Sequence, residues 1–144
     1  MGTLPCGERA GRTVHTGRVR ADDAIGYGSL LLRSKHVRFA EADVLEVSDL
    51  VVAEGARWRG VATALLTALE AVARDGGAGR IGLGVGLYAH YGPAQIMYVR
   101  TGYRPDGSGV SSGGRIVSAG DTVRVDDDLV LWLTKSLDGG VDAA

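Results

Sequence analysis

Arg57-Trp58-Arg59-Gly60-Val61-Ala62-Thr63 is a run whose residue types can hold an anion. A glycine followed by small residues lets the backbone come close to a ligand, and two arginines stand beside it. If a helix opens at Gly60, its first amides lack intrahelical partners and its dipole favours negative charge there. Upstream, Glu46 and Asp49 are carboxylates that can move protons. In a regular strand Glu46 shares a face with Ser48 and Leu50, and Asp49 lies on the other face. A carboxylate in a central strand needs either a chemical role or an ion-pair partner, so both remain candidates. His15, His36 and His90 have no ligand spacing, and Cys6, the only cysteine, is remote from them. No metal site is expected.

These residues need elements to position them. Val44–Val52 is β-branched and aliphatic with interleaved polar residues, the pattern of a central strand. From Gly60 the period changes, and Val61, Leu65, Leu69 and Val72 fall on one stripe of a helix. Five alanines between Ala62 and Ala73 add helix propensity, and Gly76 suits the C′ position that ends it. Before this strand–loop–helix core, Thr13–Arg20 and Ala24–Arg33 read as two strands joined at Asp22-Asp23, and Ser34–Asp43 reads as a connection. Met1–Arg12 has no periodicity and is expected to be a loose leader.

After the core, Arg80–Leu87 reads as a strand with Ile81, Leu83, Val85 and Leu87 on one face and Gly82, Gly84 and Gly86 on the other. Glycines in alternation imply that a backbone or a ligand approaches that face closely. Tyr88–Pro93 is a loop, and Pro93–Thr101 a short helix with Pro at N1 and Gly102 at C′. Gly107–Gly114 reads as a flexible loop. Thr122–Val125 and Leu129–Thr134 read as a closing strand pair with Asp126-Asp127-Asp128 at its turn.

At 144 residues the chain is long enough for one core, and a single domain over 1–144 is expected. A hydrophobic content of 45% and a charged content of 23% are those of an ordinary globule. A formal charge of −1 argues against a nucleic-acid partner across the whole surface. A single cysteine forms no intrachain disulfide, and no segment reads as a signal peptide or a membrane span. A cytoplasmic protein without membrane partners is the expectation.

Arg57–Ala62 fits Arg/Gln-x-x-Gly-x-Gly/Ala, and here the chain resembles the GNAT superfamily of N-acetyltransferases, whose acetyl-coenzyme A signature this is. The pattern recurs at Arg74–Gly79 and Arg104–Gly109, but only the Arg57 copy follows a strand and opens a long helix. A second match supports the resemblance. Tyr98-Val99-Arg100-Thr101-Gly102-Tyr103 is similar to the family's Tyr-x-x-x-Gly-Phe/Tyr ending of a helix, with Ala94 where that helix usually has Ala. The resemblance spans Glu46–Thr134.

It implies an α/β (α+β) fold with a mixed, splayed central β-sheet flanked by helices. The strands at Val44–Val52 and Arg80–Leu87 would part to admit acetyl-coenzyme A. Main-chain groups of Leu50, Val51 and Val52 would hold the pantetheine arm, and Arg57, Trp58, Arg59, Gly60, Val61, Ala62 and Thr63 the pyrophosphate. Tyr98 would meet the sulfur and protonate the leaving thiolate; Glu46, Asp49 or water would take the proton of an amine acceptor. The implied function is acetyl transfer from acetyl-coenzyme A to a primary amine, directly in a ternary complex, since Cys6 lies in the leader and no acyl-enzyme nucleophile is evident. The alternative is a non-catalytic acyl-coenzyme A-binding or protein-interaction module. His90, Tyr88 and Tyr91 either line the acceptor site or face solvent.

Two positions depart from the family pattern. Tyr91 stands where the family often has an asparagine that touches the pantetheine arm. Only Met1–Arg12 precedes the first hairpin, where members usually have a strand and one or two helices. A sheet face without that cover would expose apolar surface, so a homodimer or a marginally stable monomer is expected.

Overall fold

The computed structural model describes residues 11–15, 18–23, 25–53 and 60–138. Two compact units divide the chain, Met1–Ile81 with Ser136–Ala144, and Gly82–Lys135. In the first unit, strands β1 (Gly11–His15), β2 (Arg18–Asp23), β3 (Gly26–Leu31) and β4 (Leu45–Val52) form an antiparallel meander. A short helix α1 (Val37–Glu41) lies between β3 and β4, and helix α2 (Val61–Asp75) packs on β2, β3 and β4. The expected strand Thr13–Arg20 is therefore two strands, and Asp22-Asp23, expected as the turn, ends β2. Gly11 and Arg12 open β1 instead of ending a leader.

Helix α2 buries Leu65, Leu66, Leu69 and Ala73, while Val61 and Val72 of the expected stripe are half-buried. The apolar face is thus broader than one i, i+4 row. Each of these leucines contributes about 1.5–3 kcal/mol by leaving water. Gly28 sets how close α2 comes to β3: a Cβ there would lie 2.9 Å from a Leu50 methyl and 3.0 Å from a Leu69 methyl. The left-handed residue that ends α2 is Gly77 (φ +89), one place after the expected Gly76.

Residues directly opposite each other in the ladder share a face. Leu30 pairs with Val47, and both are buried with α2. Arg20 pairs with Ser29 and Ser29 with Ser48, on the face turned away from α2. This face was expected to be apolar. It carries Leu31 but otherwise Arg18, Arg20, Ser29, Glu46 and Ser48, and Arg20 lies 4.0 Å over the Tyr27 ring while its Nε donates to Asp22 Oδ1 at 2.7 Å.

The second unit comprises β5 (Arg80–Gly86), a 3₁₀ turn (Ala89–Tyr91), α3 (Gly92–Arg100), β6 (Arg104–Ser112), β7 (Arg115–Ile116) and β8 (Leu129–Ser136), with strand order β5-β8-β6-β7. The stretch expected as a flexible loop is strand β6. Its ladder with β8 slips between Pro105 and Val110, where Gly107 and Gly109 take positive φ and Asp106 Oδ1 accepts from the Ser108 N–H and hydroxyl. Gly113-Gly114, both at positive φ, turn β6 into β7 in two residues. Thr122–Val125 forms no strand, and β8 pairs with β6 instead.

The glycine face of β5 is filled by aromatic side chains rather than by a backbone. A Cβ at Gly84 would lie 3.0 Å from the Trp132 ring, and one at Gly86 only 2.3 Å from the Tyr91 ring. Trp132 is anchored by its Nε1–H, which donates to the buried Ser111 hydroxyl at 2.8 Å.

Candidate active site

Strand β4 places the two carboxylates, and it does so through an irregularity. Tyr27 pairs with Val51 but Ser29 pairs with Ser48, so Asp49 and Leu50 together oppose one residue of β3. Asp49 sits at φ +57, the left-handed residue of a β-bulge. Aspartate tolerates this conformation better than most residues, and its alternation with neighbours hid it in the sequence. The bulge reverses the pleat. Glu46 and Ser48 share the face away from α2, as expected, but Leu50 turns towards Leu69 of α2.

Glu46 is half-buried, and its Oε1 accepts the Ser34 hydroxyl at 2.6 Å. Ser34 is buried and in turn accepts the His36 backbone N–H at 2.9 Å. The carboxylate therefore has a fixed orientation, with its second oxygen free of this bond. Asp49 is more exposed, and it is ion-paired with Arg18, whose guanidinium donates to its Oδ2. Asp49 is thus already engaged by a cation, whereas Glu46 is held by a neutral hydroxyl.

Gly60 caps α2 at φ +78, and a Cβ built there would meet nothing within 4 Å among the described residues. The first intrahelical bond runs from the Ala64 N–H to the Gly60 carbonyl at 2.9 Å. The amides of Val61, Ala62 and Thr63 precede it, no side chain among the described residues caps them, and the first turn holds no acidic residue. Arg57, Trp58 and Arg59 lie outside the described residues. Leu50 and Val52 are half-buried and Val51 exposed, with Val51 and Val52 paired to Tyr27 and Gly26.

In the second unit, Gln95 of α3 donates through Nε2 to the Gly86 carbonyl at 2.8 Å, tying the helix to the end of β5. Gly102, at φ +102, ends α3 as expected. Tyr98 faces inward from this helix, 8% exposed, with its ring edge-on to Tyr103 at 5.9 Å. Its hydroxyl makes no hydrogen bond among the described residues. Burial pushes the phenol up to about 12, so it is a proton donor throughout the neutral range.

Tyr91, at the position of the family's asparagine, does something the sequence did not show. Its hydroxyl and that of Tyr88 both donate to Asp127 Oδ1, at 2.8 and 2.5 Å. The two rings meet edge to face at 5.1 Å, and His90 stacks on Tyr88 at 6.2 Å. The histidine of this loop is thus held in an aromatic cluster, and Asp127 is more than a solvated turn residue. The hydrogen bonds from Tyr88 and then Tyr91 hold the Asp127 carboxyl below its ordinary range.

Residues 6–103, more than half of the chain, match the family model described as the acetyltransferase (GNAT) family. The chain belongs to this family of acyl-coenzyme A N-acyltransferases, and its fold is the family's mixed sheet flanked by helices. Three solved structures illustrate the likeness. Nourseothricin acetyltransferase is 24% identical with a TM-score of 0.58, covering 83% of this chain and 64% of that one. An aminoglycoside 6'-N-acetyltransferase complexed with coenzyme A is 17% identical with a TM-score of 0.58, covering 88% and 76%. The IAA acetyltransferase from Bacillus cereus ATCC 14579 is 17% identical with a TM-score of 0.58, covering 83% and 76%. Comparison with curated protein sequences gives no significant match. Among the described residues no helix is long and apolar enough to cross a membrane, and no group of histidine, cysteine or acidic side chains is arranged to hold a metal.

Proposed function

We propose that this protein transfers the acetyl group of acetyl-coenzyme A to a primary amine of a small molecule, directly within a ternary complex. The observation that carries this reading is Tyr98, a buried phenol with an unengaged hydroxyl at the family's tyrosine position. The amides of Val61, Ala62 and Thr63, uncapped among the described residues, fit a pyrophosphate, and the preceding sequence Arg57-Trp58-Arg59 supplies positive charge for it. Main-chain groups of Leu50–Val52 hold the pantetheine arm. That a neighbour in fold is complexed with coenzyme A, and that others are named for aminoglycoside and nourseothricin acetylation, supports an amine acceptor.

Acetyl-coenzyme A supplies the acetyl group as a thioester. Glu46, directly or through a water that it orients, takes the proton that the acceptor nitrogen must lose before and during attack on the carbonyl carbon. Tyr98 gives its proton to the sulfur as the carbon–sulfur bond breaks, then regains one from solvent as Glu46 releases its own, so the products are an amide and a free thiol. Glu46→Gln keeps the contact with Ser34 and the packing but removes the base. Its rate should fall furthest at low pH, where the acceptor is most protonated; a uniform loss across the pH profile would point to a positioning effect instead.

Acetyl-coenzyme A at about a hundred times its Kd should add about 2.7 kcal/mol of stability. Thermal denaturation with and without it reads this directly, and absence of a shift at millimolar concentration would sink the proposal. A module that binds without turnover would show the shift yet release no thiol with a broad panel of amines.

A further inference from the structure

We infer that Tyr88, Tyr91 and Asp127 form a binding site for an organic ammonium group, and that the acceptor carries a second cationic nitrogen remote from the one acetylated. The inference deepens the proposed function and rests on it for the word acceptor, but the site stands on its own geometry. Both phenol O–H groups are spent on a single oxygen, Asp127 Oδ1. What the cluster can still offer is acceptors only: the other carboxylate oxygen and the lone pairs of the two phenol oxygens. An ammonium, with its N–H donors and positive charge, is the complement to that set.

Among the described residues Asp127 has no arginine or lysine ion pair; its hydrogen-bond partners are the two hydroxyls, with His90 a further electrostatic neighbour. The phenols are pushed up from their ordinary value, Tyr91 to about 12, chiefly by this carboxylate, and so stay neutral donors while the carboxyl stays ionised. Asp127 is exposed and Tyr88 and Tyr91 half-buried, which leaves the free oxygens within reach of a ligand. The site is also firm. The Tyr91 ring lies so close to Gly86 that any Cβ there would collide with it, and His90 braces both rings, edge to face on Tyr91 at 5.5 Å. The rings add cation–π attraction at their rims.

Tyr91 caps α3 and Tyr98 follows seven residues later, about two helical turns along the chain. The two tyrosines are therefore separated by on the order of 10 Å along the helix. A flexible aliphatic diamine of that span suits a site that reads one nitrogen at Asp127 while the other reaches Tyr98.

The probe is octane-1,8-diamine, added to the full chain without acetyl-coenzyme A and followed by tyrosine ring NMR shifts at mildly alkaline pH. Binding should move the Tyr88 and Tyr91 resonances, and Asp127→Asn, which can still accept from both phenols, should weaken it by about tenfold or more. In acetylation assays the same variant should raise KM for the diamine while leaving kcat, and leave KM for octylamine unchanged. No ring shifts, or equal affinity for wild type and an Asp127→Asn variant of unchanged melting temperature, would overturn the site and leave a mere latch between loops. Diamine binding without acetylation would instead keep the site and remove the proposed activity.

Discussion

Tyr98→Phe should lower kcat by about 10²- to 10⁴-fold, the usual contribution of general acid catalysis, while acetyl-coenzyme A affinity barely changes. The substitution keeps the ring, its edge-to-face contact with Tyr103 and the helix, and removes only the proton donor. The hydroxyl has no hydrogen bond among the described residues, so no structural partner is orphaned and stability should be nearly unaffected. In the wild type, burial holds the phenol proton until pH nears about 12. The rate should therefore rise with pH as the acceptor loses its proton, with no alkaline fall from tyrosine ionisation at ordinary assay pH. Steady-state kinetics decide the matter: a loss confined to KM would mean that the hydroxyl only helps binding, and full turnover would remove the acid assignment.

Gly60→Glu should abolish acetyl-coenzyme A binding in a protein that still folds. The new side chain has room, since nothing among the described residues lies within 4 Å of its Cβ. Its carboxylate would occupy the positive end of α2 and satisfy the same amides that a pyrophosphate needs. A full charge about 4 Å from a phosphate near a protein surface costs about 4 kcal/mol, on the order of 10²- to 10³-fold in affinity. Gly60 has positive φ, so the variant also bears a backbone penalty of roughly 1 kcal/mol. Gly60→Asn separates the two effects, because asparagine tolerates that conformation without adding charge. Calorimetry should find Asn weakened modestly and Glu not binding; normal binding by Gly60→Glu would place the pyrophosphate elsewhere.

Much of this was legible from residues alone, for stated physical reasons. Helix periodicity after Gly60 and the Tyr98–Tyr103 ending are local patterns, and α2 and α3 follow them closely. Glycine was harder to read, because its several uses look alike in a sequence. The alternating glycines of β5 do mark a close approach, but by Trp132 and Tyr91, which are far along the chain or in the next loop. The run Gly107–Gly114 suggested flexibility, yet it makes a bulged strand and a two-residue turn whose partner, β8, is nonlocal. The Asp127 cluster was invisible for the same reason: its hydrogen bonds span 36 and 39 residues. The Asp49 bulge left no signal, since aspartate takes the left-handed conformation without needing glycine.

That bulge has a consequence for how the protein can change. A regular strand is a single phase, in which altering spacing at one end inverts every side chain to the other. At Asp49 the phase of β4 is reset, so the stretch before it and the stretch after it answer to different neighbours. Residues 45–48 can vary to suit the proposed proton chemistry, while 50–52 vary to suit α2 and the proposed contacts with the co-substrate's arm, and neither change propagates through the other. A strand built this way lets its two stretches change separately.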